Sequence, residues 1–130
     1  MLKIEELRQI AKERLEEADI LWRNKKFDGA VYLCGYAVEL GLEARICKTL
    51  GWSDFPDTKE YQSFKTHDLD TLLHLSGIER TVKTEKTEEW STVASWDSNM
   101  RYRPVGSANE KQARDMISCA RELLGRLEIL

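Results

Sequence analysis

The sequence predicts an all-α protein, an up-and-down bundle of four to five helices that forms a single domain over residues 1–130. Three observations lead to this fold class. The chain has only two prolines, 42% hydrophobic residues and 33% charged residues, a balance that suits helices better than sheets with many turns. Apolar residues recur at helical spacing in most segments, and one central run is apolar nearly all round. A chain of 130 residues can bury about two thirds of its unfolded surface.

The first segment predicts a long amphipathic helix followed by a tight connection. One side is apolar and the opposite side is charged. The apolar stripe consists of Ile4, Leu7, Ala11, Leu15, Ala18 and Leu21. Residues 24–26 are too few for more than a turn, so we expect helices one and two to form an antiparallel hairpin. Asp28 stands where an acid favours the start of the second helix.

The run from Phe27 to Leu50 is the predicted core helix. Between Ala30 and Ile46 it carries only three charged residues, so as a helix it must be covered on several sides. Small residues follow one of its faces in steps of four and three, which predicts the close approach of a helix from the same chain or from a second copy. These small residues are Ala30, Cys34, Ala37, Gly41 and Ala44. Gly51 predicts the end of the helix.

A polar line crosses this apolar helix at Tyr32, Tyr36, Glu39 and Glu43. Two carboxylates one turn apart repel each other unless they are exposed or partnered, so Glu39 needs a partner from elsewhere in the chain. This polar line has two interpretations. It is an edge of the helix that faces solvent or a loop, or it is the wall of a functional groove.

The second half of the chain predicts shorter helices and two breaks. Residues 52–66, which include Pro56, fit a loop of about fifteen residues. A short helix begins near Thr66 and stops at Ser76-Gly77, and residues 78–96 keep a weaker helical spacing. The chain leaves helical geometry at Arg103-Pro104. A capping box of Ser107 and Glu110 then starts a last helix that should run to the end of the chain.

Composition excludes several classes of function. The net charge of −3 and the pI near 5.5 argue against a global basic surface for duplex nucleic acid, although a local basic patch is compatible with both. The first twenty residues are too acidic for a targeting peptide and no run is long enough to cross a bilayer, so we expect a cytoplasmic protein that does not bind membranes. Cys34, Cys47 and Cys119 lack metal or disulfide spacing and are expected to be small core residues. We expect no cofactor and find no nucleophile motif.

Polar, aromatic and guanidinium groups gather in the stretch TVASWDSNMRYRPVG, just before the break at Pro104. Arginine offers a planar fork of donors to a phosphate, and an exposed tyrosine stacks on a base. The candidate ligand-binding residues are Arg101, Tyr102, Arg103, Asp97 and Asn99, together with Glu39 from the core helix. The structural alternative is that Arg101 pairs with Glu39 or Glu43 and neutralises a buried carboxylate.

His67, Asp70 and His74 are separated by three and four residues and therefore share a helical face. The spacing is acceptable for a metal, but on a short amphipathic helix a capping residue and a surface pair explain it better, so no metal site is predicted.

Several of these motifs together resemble the HEPN domain family. The resemblance covers nearly the whole chain: a charged first helix, then FDGAVYLCGYAVELGLEARICKTLG, a loop, THDLDTLLHLSG, and the turn MRYRP before a last helix. Its most specific parts are Ala37-Val38-Glu39-Leu40, the His67-Asp68-Leu69 start of the short helix, and Arg101-Tyr102 with Pro104.

The resemblance implies a dimeric helical bundle that is concerned with nucleotides or RNA and is often paired with a minimal nucleotidyltransferase as toxin and antitoxin. Some members are metal-independent ribonucleases that use an arginine followed four to six residues later by a histidine. Arg101 matches the arginine, but residues 102–108 contain no histidine. We therefore expect a non-catalytic module that binds a nucleotide or RNA. The resemblance implies that it forms a homodimer and has a nucleotidyltransferase as its protein partner. One alternative is a divergent ribonuclease toxin that uses Arg101, with Glu39, His67 or His74 as a substitute base. Another is a partner of a nucleotidyltransferase that binds no nucleotide itself.

Overall fold

The computed structural model describes residues 2–55 and 66–130, and within these ranges the chain forms six α-helices and one short 3₁₀ helix. The predicted all-α bundle is confirmed. Its elements are α1 (Ile4–Arg23), α2 (Phe27–Leu50), α3 (Leu69–Ser76), α4 (Glu79–Glu85), α5 (Thr87–Val93), the 3₁₀ helix (Ser98–Tyr102) and α6 (Glu110–Arg126).

The predicted antiparallel hairpin of α1 and α2 is present. Lys25 adopts a positive φ of 62° in the short connection between the two helices. At the far end, an isolated antiparallel bridge joins Lys3 to Asp54, and the amide of Ile4 donates to the carbonyl of Ser53 at 3.1 Å. The start of α1 therefore lies beside the end of α2.

Helix α2 is the centre of the bundle, as the sequence predicts. All five small residues of its seam are buried. A Cβ added to Gly41 would lie 2.4 Å from Cδ2 of Leu124 on α6. The close neighbour at Gly41 therefore belongs to the same chain, and the seam contacts α6 at that point.

A second glycine of α2, Gly35, packs against the ring of Trp96. A Cβ at Gly35 would lie 2.1 Å from ring atoms of Trp96, whose indole nitrogen donates to the carbonyl of Tyr32 at 3.1 Å. The indole ring also lies 5.9 Å from the Tyr32 ring, centroid to centroid. Trp96 thus fixes the segment before the 3₁₀ helix against α2.

The short helices begin and end close to the predicted positions. Asp68 is the N-cap of α3 and accepts from the amide of Asp70 at 3.1 Å, and Gly77 ends the helix with a φ of 81°. The segment predicted as one helix over residues 78–96 forms two, because the backbone breaks at Lys86. The hydroxyl of Thr87 donates to the carbonyl of Lys83 at 2.6 Å, a bond that competes with the helical ladder.

Helix α6 differs from the prediction at both ends. Its capping box is formed by Asn109 and Gln112 and not by Ser107 and Glu110, because the Ser107 hydroxyl is already bonded to the carbonyl of Pro104. The helix also stops at Arg126 and does not continue to the last residue. Glu128 turns the chain with a φ of 64°, and its carbonyl accepts from Arg8 at 2.6 Å.

The expectation of a long loop over residues 52–66, with Pro56, lies for the most part outside the described residues.

Within the residues that the structure describes, no helix is both long and apolar enough to cross a lipid bilayer.

Candidate functional site

Glu39 lies at the middle of the polar line on α2 and is only 3% exposed. Its Oε1 atom lies 2.6 Å from Nδ1 of His67, immediately before the N-cap of α3. Burial raises the pKa of Glu39, and the bond to His67 counteracts this effect in part. The partner that the sequence required for Glu39 is therefore His67. The alternative pairing of Arg101 with Glu39 or Glu43 is wrong for the described residues, where no ion pair joins them.

The next carboxyl along α2, that of Glu43, differs from Glu39 in its hydrogen bonding. Glu43 is half-buried, and no hydrogen bond or ion pair reaches it from the described residues. Burial, together with the neighbouring Glu39, raises the pKa of Glu43 to about 8. Burial and these two carboxylates also raise the pKa of the Tyr36 phenol, one turn earlier. The Glu43 carboxyl, at one end of the polar line, therefore holds its proton near neutral pH.

Arg101 lies at the other end of the polar line, beside Tyr32. Its guanidinium carbon is 4.9 Å from the ring centroid of Tyr102, and hydrogen bonding to Tyr102 and Tyr32 raises the pKa of Arg101. Both Arg101 and Tyr102 are exposed, and Tyr102 is 74% exposed. A cation held against aromatic rings and free of acidic partners among the described residues remains able to bind an anion.

The turn that carries Arg103 is held by a carboxylate. The two oxygens of Asp28 accept from the backbone amides of Gly106, at 2.7 Å, and Ala108, at 2.8 Å. Asp28 lies in the first turn of α2 as predicted, but it does not cap its own helix. Residues 101–107 are all exposed, and Val105 is fully so. The turn is thus exposed and anchored at the same time.

Arg103 lines a cleft of about 210 Å³, and Arg101 is not among the residues that line it. The cleft is formed where α5, the turn and the start of α6 meet Val31 of α2. Its lining residues are Val31, Thr92, Ser95, Met100, Arg103, Ser107, Ala108, Gln112 and Met116. A smaller recess of about 50 Å³ shares part of this wall and reaches Asp28.

The predicted binding residues are therefore distributed over three places. Arg101 lies against Tyr102 and Tyr32, Arg103 lines the cleft, and Glu39 is bonded to His67. Asp97 is the N-cap of the 3₁₀ helix and accepts from the amide of Asn99 at 2.7 Å. The side chains of Asp97 and Asn99 are both exposed. Their role in binding stays a prediction.

The three candidate metal ligands on the short helix do not converge. Nδ1 of His74 faces Glu79 at 3.3 Å, and Asp70 accepts from the indole of Trp90 at 3.2 Å. Among the described residues no cluster of three metal-ligating side chains is present. Cys34 and Cys47 are buried and Cys119 is half-buried, so the cysteines are free thiols in or beside the core.

Three contacts of the candidate site are not indicated by the sequence pattern. Asp28 was expected to serve its own helix, and the turn it holds lies 78 and 80 residues further along the chain. Tyr32 was assigned to the polar line, but nothing in its spacing indicated Arg101 as a neighbour. The only available signal for His67 was the requirement that a buried Glu39 have a partner.

The chain was compared with known proteins. No curated protein and no solved structure gives a significant match. The sequence model of one family, the HEPN domain, matches residues 4–130, which is nearly the whole chain. This match agrees with the all-α bundle. The chain belongs to the HEPN domain family.

Proposed function

We propose that this HEPN domain binds single-stranded RNA at the arginine turn, residues 101–108, and does not cleave it. The observation that carries the proposal is the exposed guanidinium of Arg101, which lies against Tyr102 and has no acidic partner among the described residues. An arginine with no carboxylate to satisfy it can bind a phosphate with two parallel hydrogen bonds.

The aromatic ring beside it supports a single-stranded ligand. Tyr102 is 74% exposed, and base stacking on such a ring contributes about 1–3 kcal/mol per base without regard to sequence. Stacking of this kind needs an unpaired base. The net charge of −3 does not favour a duplex, whose binding depends on neutralising many phosphates.

The Asp28 anchor supports binding by a turn of fixed shape. Two backbone amides of the turn are tied to one carboxylate, so Arg101, Tyr102 and Arg103 project from an ordered backbone. A binding surface ordered in advance loses less conformational entropy when its ligand arrives.

The non-catalytic assignment follows from the missing proton-transfer group near Arg101. No histidine follows it in residues 102–108, and the titratable partners of its guanidinium are Tyr102 and Tyr32. Among the residues that the structure describes, no histidine or carboxylate therefore stands beside a phosphate bound at Arg101 to act as its general base.

Two partner proposals accompany this function and rest on the family resemblance. The domain forms a homodimer, and it pairs with a minimal nucleotidyltransferase in a toxin-antitoxin-like system. Sedimentation of the purified chain tests the first proposal, and co-purification of the chain with a minimal nucleotidyltransferase tests the second.

The test of RNA binding uses labelled single-stranded RNA in EDTA and follows retention and cleavage together. We expect retention of intact RNA, weakened about tenfold or more by Arg101→Ala. Arg80→Ala is the matched control, because Arg80 is an exposed arginine of α4 outside the turn. Equal losses in both variants, or no retention by the wild type, would refute the proposal.

The second candidate function is a metal-independent ribonuclease, and the pair of His67 and Glu39 is the observation that favours it. The His67 side chain is 69% exposed and its Nδ1 is held by buried Glu39, which leaves Nε2 available for proton transfer. However, His67 is held by Glu39 and Arg101 by Tyr32, and these two residues of α2 are seven positions apart, about 10 Å along the helix. This separation places His67 and Arg101 too far apart for both to contact the same phosphate without a rearrangement. RNA cleavage without metal that is lost in both His67→Ala and Arg101→Ala would establish this function instead.

A further inference from the structure

We infer that the cleft beside Arg103 is a pocket for one unpaired nucleobase of the bound RNA. The inference rests on the proposed function, since it assigns a second contact to the same RNA strand. It also gives a role to Arg103, which lines the cleft, whereas Arg101 does not.

The volume of the cleft limits what it can hold. At about 210 Å³ it is far larger than the 10–15 Å³ or so that one water needs. It is smaller than the roughly 300–1,000 Å³ of pockets that enclose drug-sized ligands. A single planar ring system of one or two rings is the class of group that fits this range.

The walls provide apolar contacts for the faces of such a ring. Val31, Met100 and Met116 contribute aliphatic and thioether surface from α2, the 3₁₀ helix and α6. Methionine sulfur makes favourable contacts with aromatic rings and adapts to their shape. These three residues come from three different elements, so they surround the cleft and do not form a flat patch.

The polar groups of the cleft provide both acceptors and donors for the edge of a base. The Ser95 hydroxyl donates to the carbonyl of Thr92 at 2.8 Å, and the Ser107 hydroxyl donates to that of Pro104, so both oxygens remain acceptors. Oε1 of Gln112 accepts from the amide of Asn109 at 3.0 Å, which leaves its side-chain amide nitrogen as a donor. Nucleobases carry donors and acceptors on one edge, and the cleft matches that combination.

Arg103 places the phosphate of the same nucleotide at the mouth of the cleft. Its side chain is exposed, lines the cleft and has no ion-pair partner among the described residues. The nearest acid on the adjoining recess is Asp28, whose two oxygens are already engaged by backbone amides. One RNA strand would then contact Arg101 and Tyr102 at one nucleotide and Arg103 with the base pocket at another.

The experiment compares two RNAs and two serine variants. The RNAs are a labelled single-stranded oligonucleotide and the same oligonucleotide with its bases removed at alternate positions. Ser95→Trp places a large side chain in the cleft, and Ser91→Trp adds the same side chain to an exposed serine one turn earlier on α5. Helical content and thermal midpoints of the variants are compared first, so that a folding defect is not read as a binding defect.

The comparison is made in a Tyr102→Ala background, so that stacking of a base on Tyr102 does not contribute. In this background the parent protein and Ser91→Trp should bind intact RNA about tenfold more tightly than the base-depleted RNA, whereas Ser95→Trp should bind both with the same weakened affinity. Equal binding of both RNAs by the parent protein would overturn the base pocket. So would a Ser95→Trp protein that still discriminates between them in this background. If the wild type retains RNA and Arg101→Ala weakens it while Ser95→Trp has no effect, the pocket fails and the proposed function stands. If the wild type retains no RNA, both fail.

Discussion

Nδ1 of His67 lies 2.6 Å from Oε1 of Glu39 and gives the buried carboxyl of the core helix its partner. The side chain of Glu39 is only 4% exposed, whereas that of His67 is 69% exposed. One bond therefore connects the interior of the bundle to its surface, and it ties the segment before α3 to α2.

Removal of this partner should destabilise the fold. We expect His67→Ala to lower the free energy of unfolding by about 1–3 kcal/mol, because a buried carboxyl is left without its hydrogen bond. Glu39→Gln in the same chain should recover part of this loss, since a neutral amide is less costly to bury. Urea unfolding of the two single variants and the double variant gives the coupling energy. Arg101→Ala combined with Glu39→Gln should show no coupling, and a large coupling there would contradict the observed pairing.

Glu43 should make stability depend on pH. Its folded pKa of about 8 lies above the unfolded value of 4.5, so the folded chain keeps a proton that the unfolded chain releases. The stabilising contribution is complete below about pH 4.5 and is lost as the pH rises towards 8. Glu43→Gln should therefore stabilise the fold at pH 8 by about 1–3 kcal/mol, a value reduced for partial exposure.

Urea unfolding between pH 5 and pH 8.5 measures this effect. The slope of stability against pH should become flatter in Glu43→Gln and remain unchanged in Glu16→Gln, which alters an exposed glutamate of α1. Identical slopes in all three proteins would show that Glu43 is not the group responsible.

Gly35 and Gly125 should respond in opposite ways to alanine. A Cβ at Gly35 meets the Trp96 ring at 2.1 Å, so Gly35→Ala should destabilise the fold by about 1–3 kcal/mol despite the better helix propensity of alanine. Gly125 lies on α6 with nothing within 4 Å of such a Cβ, and Gly125→Ala should stabilise by up to about 1 kcal/mol. Thermal midpoints distinguish the two cases. A stabilised Gly35→Ala protein would mean that Trp96 does not pack against α2.

The long-range contacts explain how much the sequence could predict. The apolar run of α2 and the glycine stops at Gly51 and Gly77 are local signals, and both glycines indeed adopt a positive φ. The pairing of Glu39 with His67 spans 28 residues and follows from tertiary packing, which periodicity does not encode. The capping box was misplaced by two residues, since Ser107 and Asn109 both satisfy the pattern and only the bond from Ser107 to Pro104 decides between them.

The candidate site was predicted as a group of residues but not as an arrangement. The gathering of Arg101, Tyr102 and Arg103 was visible in the sequence, because they are adjacent. In the folded chain Arg101 lies against Tyr32 and Arg103 lines the cleft between α5 and α6, and these elements come together only through tertiary packing.

Asp28 should control the order of the arginine turn. Asp28→Ala removes the acceptor of two backbone amides, so the amides of Gly106 and Ala108 should exchange with solvent at least tenfold faster. RNA affinity should fall while the helical content is unchanged, because the turn is then no longer ordered in advance. Asp28→Asn retains one acceptor oxygen and should give an intermediate result. Unchanged exchange in Asp28→Ala would show that the turn does not depend on this carboxylate.

The salt dependence of RNA binding tests the central claim most directly, because it counts phosphate contacts. The logarithm of the association constant should fall linearly with the logarithm of salt concentration, by about 0.7 for each phosphate contacted on a single strand. Arg101→Ala and Arg103→Ala should each reduce that slope by about this amount, and Arg80→Ala should leave it unchanged. Slopes that are the same in all four proteins would contradict the account, since the two arginines of the turn would then make no contact with RNA phosphates.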